Sequence, residues 1–353
     1  MTSGRDGTIE VRETHRIDVE GLTRFLDTHV GGFSGPVTVR QFRGGQSNPT
    51  YLLTTPSARY VLRRKPSGHL LPSAHAIERE FRVMQALASS SVPVPEMLTI
   101  CEDASVIGTP FFVMRYVDGR PIDNPALPDR SPADRRAIYT SMAASLAAIH
   151  TVDWHARGLA DFGRAGGFVQ RQVHRWTTQY RSSETEHIEA MERLIAWLPA
   201  HIPPGDEVAL IHGDYRPGNV LLHPTEPRLV AVVDWELSTL GHPLVDLAHH
   251  ALLYHTGPED LGAFGDTAPP EGIPDVSTYL DLYCAHAGRT TLPAWSYYVV
   301  LAMFRFAAIF QGIMGRVVAG NANDPEAARM GQRARPLAER AWRLVESGAG
   351  GDQ

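Results

Sequence analysis

Three polar residues between positions 214 and 234 have the types and spacing needed for phosphoryl transfer. Asp214 and Asn219 lie in the segment HGDYRPGN, and Asp234 ends an apolar segment, residues 229–234. If that segment pairs antiparallel with residues 219–223, Asn219 and Asp234 face each other at the open end, beside Asp214. An amide and a carboxylate would then hold Mg²⁺ on the phosphates of ATP, and Asp214 would deprotonate the attacking hydroxyl group.

Two neighbours in this segment would support the same reaction. Arg216 follows Asp214 by two residues and could reach the transferring phosphoryl group to stabilise its charge. Pro217 restricts the backbone of the loop. The alternative interpretation is an ordinary capped polar loop without a catalytic role.

HGDYRPGN resembles the catalytic loop of protein kinases, H-x-D-x-[KR]-P-x-N, and its HGD opening is typical of aminoglycoside phosphotransferases. This resemblance implies a two-lobed, protein-kinase-like α+β fold and an ATP- and Mg²⁺-dependent small-molecule kinase. It also implies a role for each matching residue: Asp214 as catalytic base, Asn219 and Asp234 as Mg²⁺ ligands, His212 as a scaffold residue and Asp246 as a brace of the loop.

The residues after Asp234 depart from the protein-kinase pattern. Trp235 and Glu236 stand where protein kinases have Phe-Gly. An activation-segment switch is therefore not expected, and Glu236 is a candidate ligand for a second metal ion.

A glycine-containing segment near the N-terminus is a candidate flap over the nucleotide. RGGQSN lies between two predicted strands and lacks the Gly-Lys-[Ser/Thr] ending, which excludes a Walker A loop. Glycines there would let backbone N–H groups approach the phosphates. The candidate nucleotide-binding residues are Gly44, Gly45, Ser47 and Asn48. A simple hairpin turn is the alternative.

Arg63 stands in RYVLRRK where the family has a lysine that binds the α- and β-phosphates. Arginine can bind the same phosphates through two parallel hydrogen bonds, and Lys65 is a second candidate. Strand alternation places Arg64 on the opposite face, where we expect it to be solvated. Glu80 flanks the buried stripe of the following helix and is the expected partner of Arg63, whereas Glu78 should face outward.

The strand PFFVMRYV resembles the strand and hinge that recognise adenine in kinases. By that resemblance the carbonyl group of Arg115 and the N–H group of Val117 should contact the nucleotide. An edge strand that binds no ligand would have a similar sequence.

The elements that must position these residues can be read from periodicity and turn residues. A helix is predicted over 18–30 with Asp18 as its cap, and a second over 73–89 with Ser73 as its candidate cap. Strands are predicted at 37–42, 50–54, 59–65 and 110–117, and helices at 132–150 and 295–318. We place the lobe boundary near Val117. Residues 1–117 would form the nucleotide-binding lobe, and residues 118–353 the helical lobe with the acceptor site.

Longer segments, including GGQSNPTYLL and VDWELSTLGHPLVDLA, resemble the kinases related to the domain fused to some acyl-CoA dehydrogenases. That subgroup is associated with phosphorylation of hydroxy-fatty-acyl substrates, so the resemblance implies a 4-hydroxyacyl-CoA type of acceptor. An aminoglycoside or another natural product is the alternative acceptor. A nucleotide-binding pseudokinase is an alternative of another class, motivated by Arg63 and opposed by the intact catalytic trio.

Charge patterning does not decide between these acceptors. Four arginines at helical spacing could bind the phosphates of CoA, namely Arg171, Arg175, Arg305 and Arg316. Solvated helix faces are the alternative for both pairs. An acidic region would suit a polycationic antibiotic, and it comprises Glu259, Asp260, Asp266, Glu271, Asp275 and Asp281.

Composition limits the remaining classes of function. The formal net charge of −6 argues against a general nucleic-acid binder. Two cysteines, Cys101 and Cys284, cannot build a thiolate cluster, and the spacing of His249, His250 and His255 does not form a zinc triad, so structural histidines are expected. A polar N-terminus and the lack of a long uninterrupted apolar run favour a cytoplasmic protein that does not enter a membrane. The oligomeric state is left open.

Overall fold

A six-stranded antiparallel sheet forms the N-terminal lobe in the computed structural model, which describes residues 7–43, 48–66, 77–322 and 324–348. The spatial order of the strands is β1-β2-β3-β4-β6-β5. Their bounds are β1 (Thr8–Ile9), β2 (Thr38–Phe42), β3 (Thr50–Thr54), β4 (Arg59–Arg64), β5 (Met97–Cys101) and β6 (Phe111–Arg115). The α+β fold and the antiparallel sheet expected from the sequence are confirmed.

Two helices lie on opposite sides of this sheet. Helix α1 (Val19–His29) begins at Asp18, whose carboxylate accepts a hydrogen bond from Gly21 N at 2.9 Å. Its apolar stripe packs on the sheet through fully buried Leu22 and Leu26. Helix α2 (Ile77–Leu87) covers the other face and joins the main core of the protein. Strand alternation therefore directs one side of β4 to α2, and to the cleft beyond it.

Arg64 is not solvated, contrary to the expectation from strand alternation. It is only 3% exposed, and its Nε donates a hydrogen bond to the Tyr51 hydroxyl group at 2.8 Å. The same hydroxyl group donates to the His15 carbonyl oxygen at 2.8 Å. The outer face of β4 is thus covered by the segment that precedes α1, which a strand pattern alone cannot reveal.

The C-terminal lobe is mainly helical. Its helices are α3 (Pro132–Thr151), α4 (Phe168–Ser182), α5 (Glu189–Ala200), α6 (Pro243–His255), α7 (Val276–Ala287), α8 (Trp295–Val318), α9 (Ala327–Gly331) and α10 (Ala334–Glu346). Its short strands are β7 (Arg120–Pro121), β8 (Ala209–Ile211), β9 (Val220–Leu222), β10 (Leu229–Val232) and β11 (Thr239–Gly241). The lobe boundary at Val117 stays a prediction.

Helix α8 is the central helix of this lobe. It packs against α4, α6 and α10, and its ring and aliphatic side chains lie in the main core. Its length and composition would also suit a membrane span, but 67% of its most apolar window is buried inside the protein. We therefore describe it as a core helix.

The hairpin that was expected to carry the catalytic residues is present. β9 and β10 pair antiparallel, with Val220 opposite Val232. One residue further out, Val233 N donates to the Asn219 carbonyl oxygen at 2.9 Å. Asn219 and Asp234 therefore leave the same end of the hairpin, as the alternation of the two apolar segments predicted.

Candidate active site

The backbone of the catalytic loop is held by a buried carboxylate from α6. Asp246 accepts hydrogen bonds from His212 N at 2.7 Å and from Gly213 N at 2.8 Å. Burial alone would raise the pKa of Asp246, but the hydrogen bond from His150 outweighs this effect, and the pKa is lowered to about 2. A group that stays ionised can brace the loop at every physiological pH.

His212 holds the loop to the hairpin. Its Nδ1 accepts a hydrogen bond from Asp214 N at 3.2 Å, so its Nε2 carries the proton and donates to the Val233 carbonyl oxygen at 3.1 Å. Complete burial lowers the pKa of this imidazole. The side chain packs on the Trp235 ring at a centroid distance of 4.7 Å. Its contacts are those of a scaffold residue.

Asn219 is oriented by Asp214. The side-chain nitrogen of Asn219 donates to the Asp214 carbonyl oxygen at 2.9 Å and to Asp214 Oδ2 at 2.7 Å. Because the amide nitrogen faces Asp214, the amide oxygen faces away from it, toward the end of the hairpin. Amide and carboxylate oxygens are ligands that Mg²⁺ prefers, so Asn219 and Asp234 provide a suitable donor pair for that ion.

Asp214 remains ionised although it is largely buried. Burial favours the protonated acid, but the hydrogen bond from His249 and the charge of Arg216 hold its pKa well below the ordinary value. Arg216 Nε lies 3.2 Å from Asp214 Oδ2, and about half of the Arg216 side chain is exposed to the cleft. The arrangement offers an ionised carboxylate beside a half-exposed cation.

Asp234 adopts a left-handed backbone conformation with φ of 68°. Aspartate is one of the few residues other than glycine that tolerate this conformation. The turn directs its carboxylate to Arg63, whose Nη2 donates to Asp234 Oδ1 at 2.6 Å and to Glu236 Oε2 at 3.3 Å. Arg63 therefore lies at Asp234, the expected metal ligand.

Glu80 completes this charge cluster. Its Oε2 lies 2.9 Å from Arg63 Nε, so the expected ion pair is present, although the N–H bond is not directed at the oxygen. Complete burial, together with the charges of Asp234 and Glu236, raises the pKa of Glu80 to about 7, against the opposing effect of Arg63. One guanidinium group is thus shared by three carboxylates. We call Arg63, Glu80, Asp234 and Glu236 the Arg63 cluster.

Asn48 joins the end of the candidate flap to the same cluster. It is fully buried, and its Nδ2 donates to Glu236 Oε2 at 3.3 Å, whereas its buried Oδ1 has no hydrogen-bond partner among the residues that the structure describes. A buried polar atom without a partner is costly and indicates a place for a polar ligand. Gly44, Gly45 and Ser47 lie outside the described residues.

The other nucleotide-binding candidates lie along β4 and β6. Lys65 Nζ pairs with Glu78 Oε1 at 2.5 Å and not with a carboxylate of the Arg63 cluster. Of the two cations, Arg63 is therefore better placed to bind the phosphates. Arg115 ends β6, and its side chain pairs with Glu96 at 2.5 Å. Val117 follows two residues later. Contact between this segment and adenine stays a prediction.

The four arginines expected to bind the acceptor have different surroundings. Arg171 donates to the carbonyl oxygens of Arg164 and Gly166, and so holds the segment before α4. Arg305 Nη2 donates to the Gly213 carbonyl oxygen at 3.1 Å, inside the catalytic loop. Arg316 is exposed, about 16 Å further along α8. Their roles in acceptor binding stay predictions.

Arg175 is exposed on α4, with its guanidinium carbon 5.3 Å from the centre of the Trp176 ring. The Arg305 guanidinium carbon lies 5.4 Å from the centre of the same ring. A short chain of contacts therefore connects the catalytic loop, through Arg305 and Trp176, to an exposed cation.

Sequence analysis missed one residue of the site. His249 was expected to be structural, but its Nε2 lies 3.2 Å from Asp214 Oδ1. The signal was available: His249 follows Asp246 by three residues, so one face of α6 presents both side chains to the catalytic loop. The residue types alone did not distinguish His249 from His250, which packs on Tyr215 and Tyr279 instead.

Comparison with known protein families gives one match over most of this architecture. Residues 38–274 match the model of a family described as phosphotransferase enzyme family, APH. The matched range begins at β2 and continues beyond α6. It therefore includes the Arg63 cluster, the catalytic loop and the hairpin.

Curated relatives are similar over nearly the whole chain. Acyl-CoA dehydrogenase family member 10 of Mus musculus is 45% identical over 343 residues, and family member 11 of Homo sapiens is 40% identical over 352 residues. These alignments cover 96% and 97% of this chain, but only 32% and 45% of the relatives. The chain thus spans less than half the length of these two proteins.

Solved structures share the fold. A Ralstonia eutropha protein assigned to the aminoglycoside phosphotransferases has a TM-score of 0.87 at 49% identity, covering 94% of this chain and 99% of that one. Choline kinase from Cryptosporidium parvum has a TM-score of 0.65 at 11% identity, covering 94% and 97%. Aminoglycoside phosphotransferase APH(4)-Ia in complex with ADP and hygromycin B has a TM-score of 0.58 at 17% identity, covering 90% and 97%. The last two likenesses concern the fold alone.

Proposed function

This chain belongs to the phosphotransferase enzyme family, and we propose that it transfers the γ-phosphoryl group of ATP to a hydroxyacyl-CoA or hydroxy acid of the 4-hydroxyacyl-CoA type. The observation that carries the proposal is the convergence of Asp214, Asn219 and Asp234 at one end of the β9–β10 hairpin. A proton acceptor and two oxygen ligands are the groups that this reaction requires.

Each of these residues has a defined task. Asp214 orients the acceptor hydroxyl group and receives its proton as the bond to phosphorus forms. Asn219 and Asp234 would hold Mg²⁺, which neutralises charge on the phosphate oxygens when bound. Arg63 lies beside Asp234 and can bind the α- and β-phosphates, and Arg216 can reach the transferring group. The APH(4)-Ia structure has the same fold and holds ADP, which supports a nucleotide in the cleft of this chain.

The acyl-CoA acceptor is supported by the relatives and by charge. The curated relatives carry the name acyl-CoA dehydrogenase, so an acyl-CoA is the substrate class of the proteins in which similar chains occur. A CoA thioester carries phosphate groups and an aminoglycoside carries amino groups. Exposed Arg175, connected to the catalytic loop through Trp176 and Arg305, suits the phosphate groups.

The acidic region offers less support to an aminoglycoside. Asp266 forms two hydrogen bonds with Arg340, at 2.9 and 3.1 Å. Asp275 caps α7 by accepting from Thr278 N at 2.8 Å. Because Asp266 and Asp275 already form contacts within the protein, less negative charge is available to bind a polycation.

The test compares three acceptors under saturating Mg²⁺ and ATP. We expect kcat/KM for a 4-hydroxyacyl-CoA to exceed that for the free 4-hydroxy acid and for a kanamycin-type aminoglycoside by about tenfold or more, because the CoA phosphates add remote binding energy. Arg175→Glu should raise KM for the thioester more than for the free acid. Arg24→Glu, on exposed α1 of the other lobe, is the matched control.

Three outcomes would contradict the proposal in different ways. Equal activity on the thioester and the free acid would show that the enzyme does not recognise the CoA group. Efficient phosphorylation of the aminoglycoside alone would assign the chain to antibiotic modification. Nucleotide binding without phosphorylation of any acceptor, and without hydrolysis of ATP, would indicate a pseudokinase.

A further inference from the structure

We propose that His249 and Arg305 form a positioning pair that fixes the Asp214 carboxylate and reserves Asp214 Oδ1 as the oxygen that accepts the proton of the acceptor hydroxyl group. The proposal rests on the role of Asp214 given above and does not depend on which acceptor is used. His249 lies on α6, Arg305 on α8 and Asp214 in the catalytic loop, so three separate elements meet at this point.

The hydrogen-bonding directions follow from the contacts of the imidazole ring. Arg305 Nη1 lies 3.4 Å from His249 Nδ1, and a guanidinium group can only donate. His249 Nδ1 is therefore the acceptor, and in the neutral ring the proton resides on Nε2. That N–H donates to Asp214 Oδ1 at 3.2 Å. Since Nε2 already carries its proton, His249 does not act as the base.

The two oxygens of Asp214 are then distinguished by their partners. Oδ2 accepts from Asn219 Nδ2 at 2.7 Å and from Arg216 Nε at 3.2 Å, which uses both of its lone pairs. Oδ1 accepts from His249 and keeps one lone pair. The acceptor hydroxyl group donates to that lone pair, and its proton passes to Oδ1 as its oxygen bonds to the γ-phosphorus and the bond to ADP breaks.

The surroundings keep this pair rigid. The His249 side chain is only 4% exposed and packs edge-on against Phe306 at a centroid distance of 5.2 Å. Arg305 also donates to the Gly213 carbonyl oxygen at 3.1 Å, so it fixes the loop backbone next to the carboxylate that His249 holds. His249 of α6 thus contacts the Asp214 side chain of the catalytic loop, and Arg305 of α8 contacts the loop backbone at Gly213.

The decisive experiment compares His249→Gln, His249→Asn and His249→Ala. A glutamine places an amide N–H close to the position of the imidazole Nε2, whereas an asparagine does not reach it. We expect the alanine and asparagine variants to lose about ten- to hundredfold in kcat, as for one hydrogen bond to a charged group. The glutamine variant should retain most of kcat. KM for ATP should stay within about twofold in all three, because nucleotide binding is not affected.

Two further measurements separate positioning from general stability. His255→Gln changes another histidine of α6, for which the described residues show no contact with the catalytic loop, and it should leave kcat unchanged whatever its effect on Tm. Added imidazole should restore part of the activity of the alanine variant. Arg305→Met should reduce kcat, and its combination with His249→Ala should cost less than the product of the two single losses, because both act through one contact.

The same series distinguishes the failure of this proposal from that of the proposed function. Activity is measured with the 4-hydroxyacyl-CoA and, with water as the acceptor, as ATP hydrolysis. Full activity of Asp214→Asn would overturn the role of Asp214 itself. Loss of activity in Asp214→Asn with wild-type kcat in all three His249 variants would overturn the positioning pair alone, as would equal losses in the glutamine, asparagine and His255→Gln variants.

Discussion

At the scale of single residues, the surroundings of the candidate active site shift the pKa values of its carboxylates in opposite directions. Asp246 and Asp214 are both buried, yet hydrogen bonds from histidines lower the pKa of each. Burial raises the pKa of Glu80, which accepts no hydrogen bond from a histidine among the described residues. Asp246 braces the catalytic loop, Asp214 is the proposed proton acceptor, and Glu80 lies beside Arg63.

Replacing Asp214 by asparagine tests the proton acceptor directly. We expect Asp214→Asn to lower kcat by about a hundredfold or more, because an amide cannot accept the proton, while nucleotide affinity and Tm stay close to wild type. Steady-state kinetics and thermal unfolding provide the measurements. Asp27→Asn, on exposed α1, serves as the control for loss of a carboxylate. Retention of near-wild-type kcat in Asp214→Asn would rule out the assignment.

Arg63 shows how one guanidinium group can serve several carboxylates. It contacts Glu80, Asp234 and Glu236 at once. A lysine ammonium group is compact, whereas the planar guanidinium group has donors on several sides. Arg63 uses Nε for Glu80 and Nη2 for Asp234 and Glu236, so the contact with Glu80 does not depend on the contact with Asp234.

At the scale of elements, the catalytic loop depends on one glycine. Gly213 has φ of 83°, and a Cβ atom there would lie 2.5 Å from the Leu237 carbonyl oxygen. Both the backbone conformation and the close approach of the segment after Asp234 require the absence of a side chain. The catalytic loop and the turn that follows Asp234 are thus packed backbone to backbone.

Gly213→Ala should therefore impair the enzyme more than an equivalent change elsewhere. We expect kcat to fall by about tenfold or more, because the loop must move away from Leu237 and displace Asp214. Gly288→Ala is the matched control, with φ of 67° and no atom within 4 Å of the added Cβ. It should cost about 1 kcal/mol of stability and leave kcat unchanged. Equal kcat values in the two variants would contradict this role of Gly213.

At the scale of the whole molecule, the Arg63 cluster joins the two lobes. Arg63 comes from β4 and Glu80 from α2, whereas Asp234 and Glu236 follow the hairpin of the other lobe. Arg79, also on α2, adds a hydrogen bond to the Phe162 carbonyl oxygen at 2.6 Å. The lobes are therefore connected by charges that a nucleotide and a metal ion would also contact.

Glu80 should make the stability of the unliganded protein depend on pH. Its pKa is about 7 in the folded chain, while an unfolded glutamate ionises at about 4.3. The folded state therefore binds the proton more tightly, and this contribution to stability is lost as pH rises from the lower to the higher value. Between pH 5 and pH 8, the wild type should lose on the order of 1–3 kcal/mol relative to Glu80→Gln.

Denaturant unfolding at the two pH values measures this difference. Glu78→Gln is the matched control, since Glu78 lies two residues away and pairs with Lys65 instead of Arg63. It should follow the wild type at both pH values. Parallel changes in the wild type and Glu80→Gln would show that Glu80 does not take up a proton in this range.

The sequence by itself determined the main elements and the position of Asp214, Asn219 and Asp234 at one end of a hairpin. The periods of the apolar residues predicted α1, α3 and α8 and the central strands within a few residues, because those patterns are local. The loop and hairpin around Asp214, Asn219 and Asp234 were predicted because two short strands joined by a turn can pair in only a few registers.

Only the tertiary structure decided which distant side chains meet the trio. His249 and Arg305 come from helices about 35 and 90 residues after the loop in the chain, and their contacts depend on how α6 and α8 pack against it. The prediction that Arg64 is solvated was wrong for the same reason, because the segment that covers its side chain is remote in sequence. Periodicity specifies which face of an element is apolar, but not which neighbour covers it.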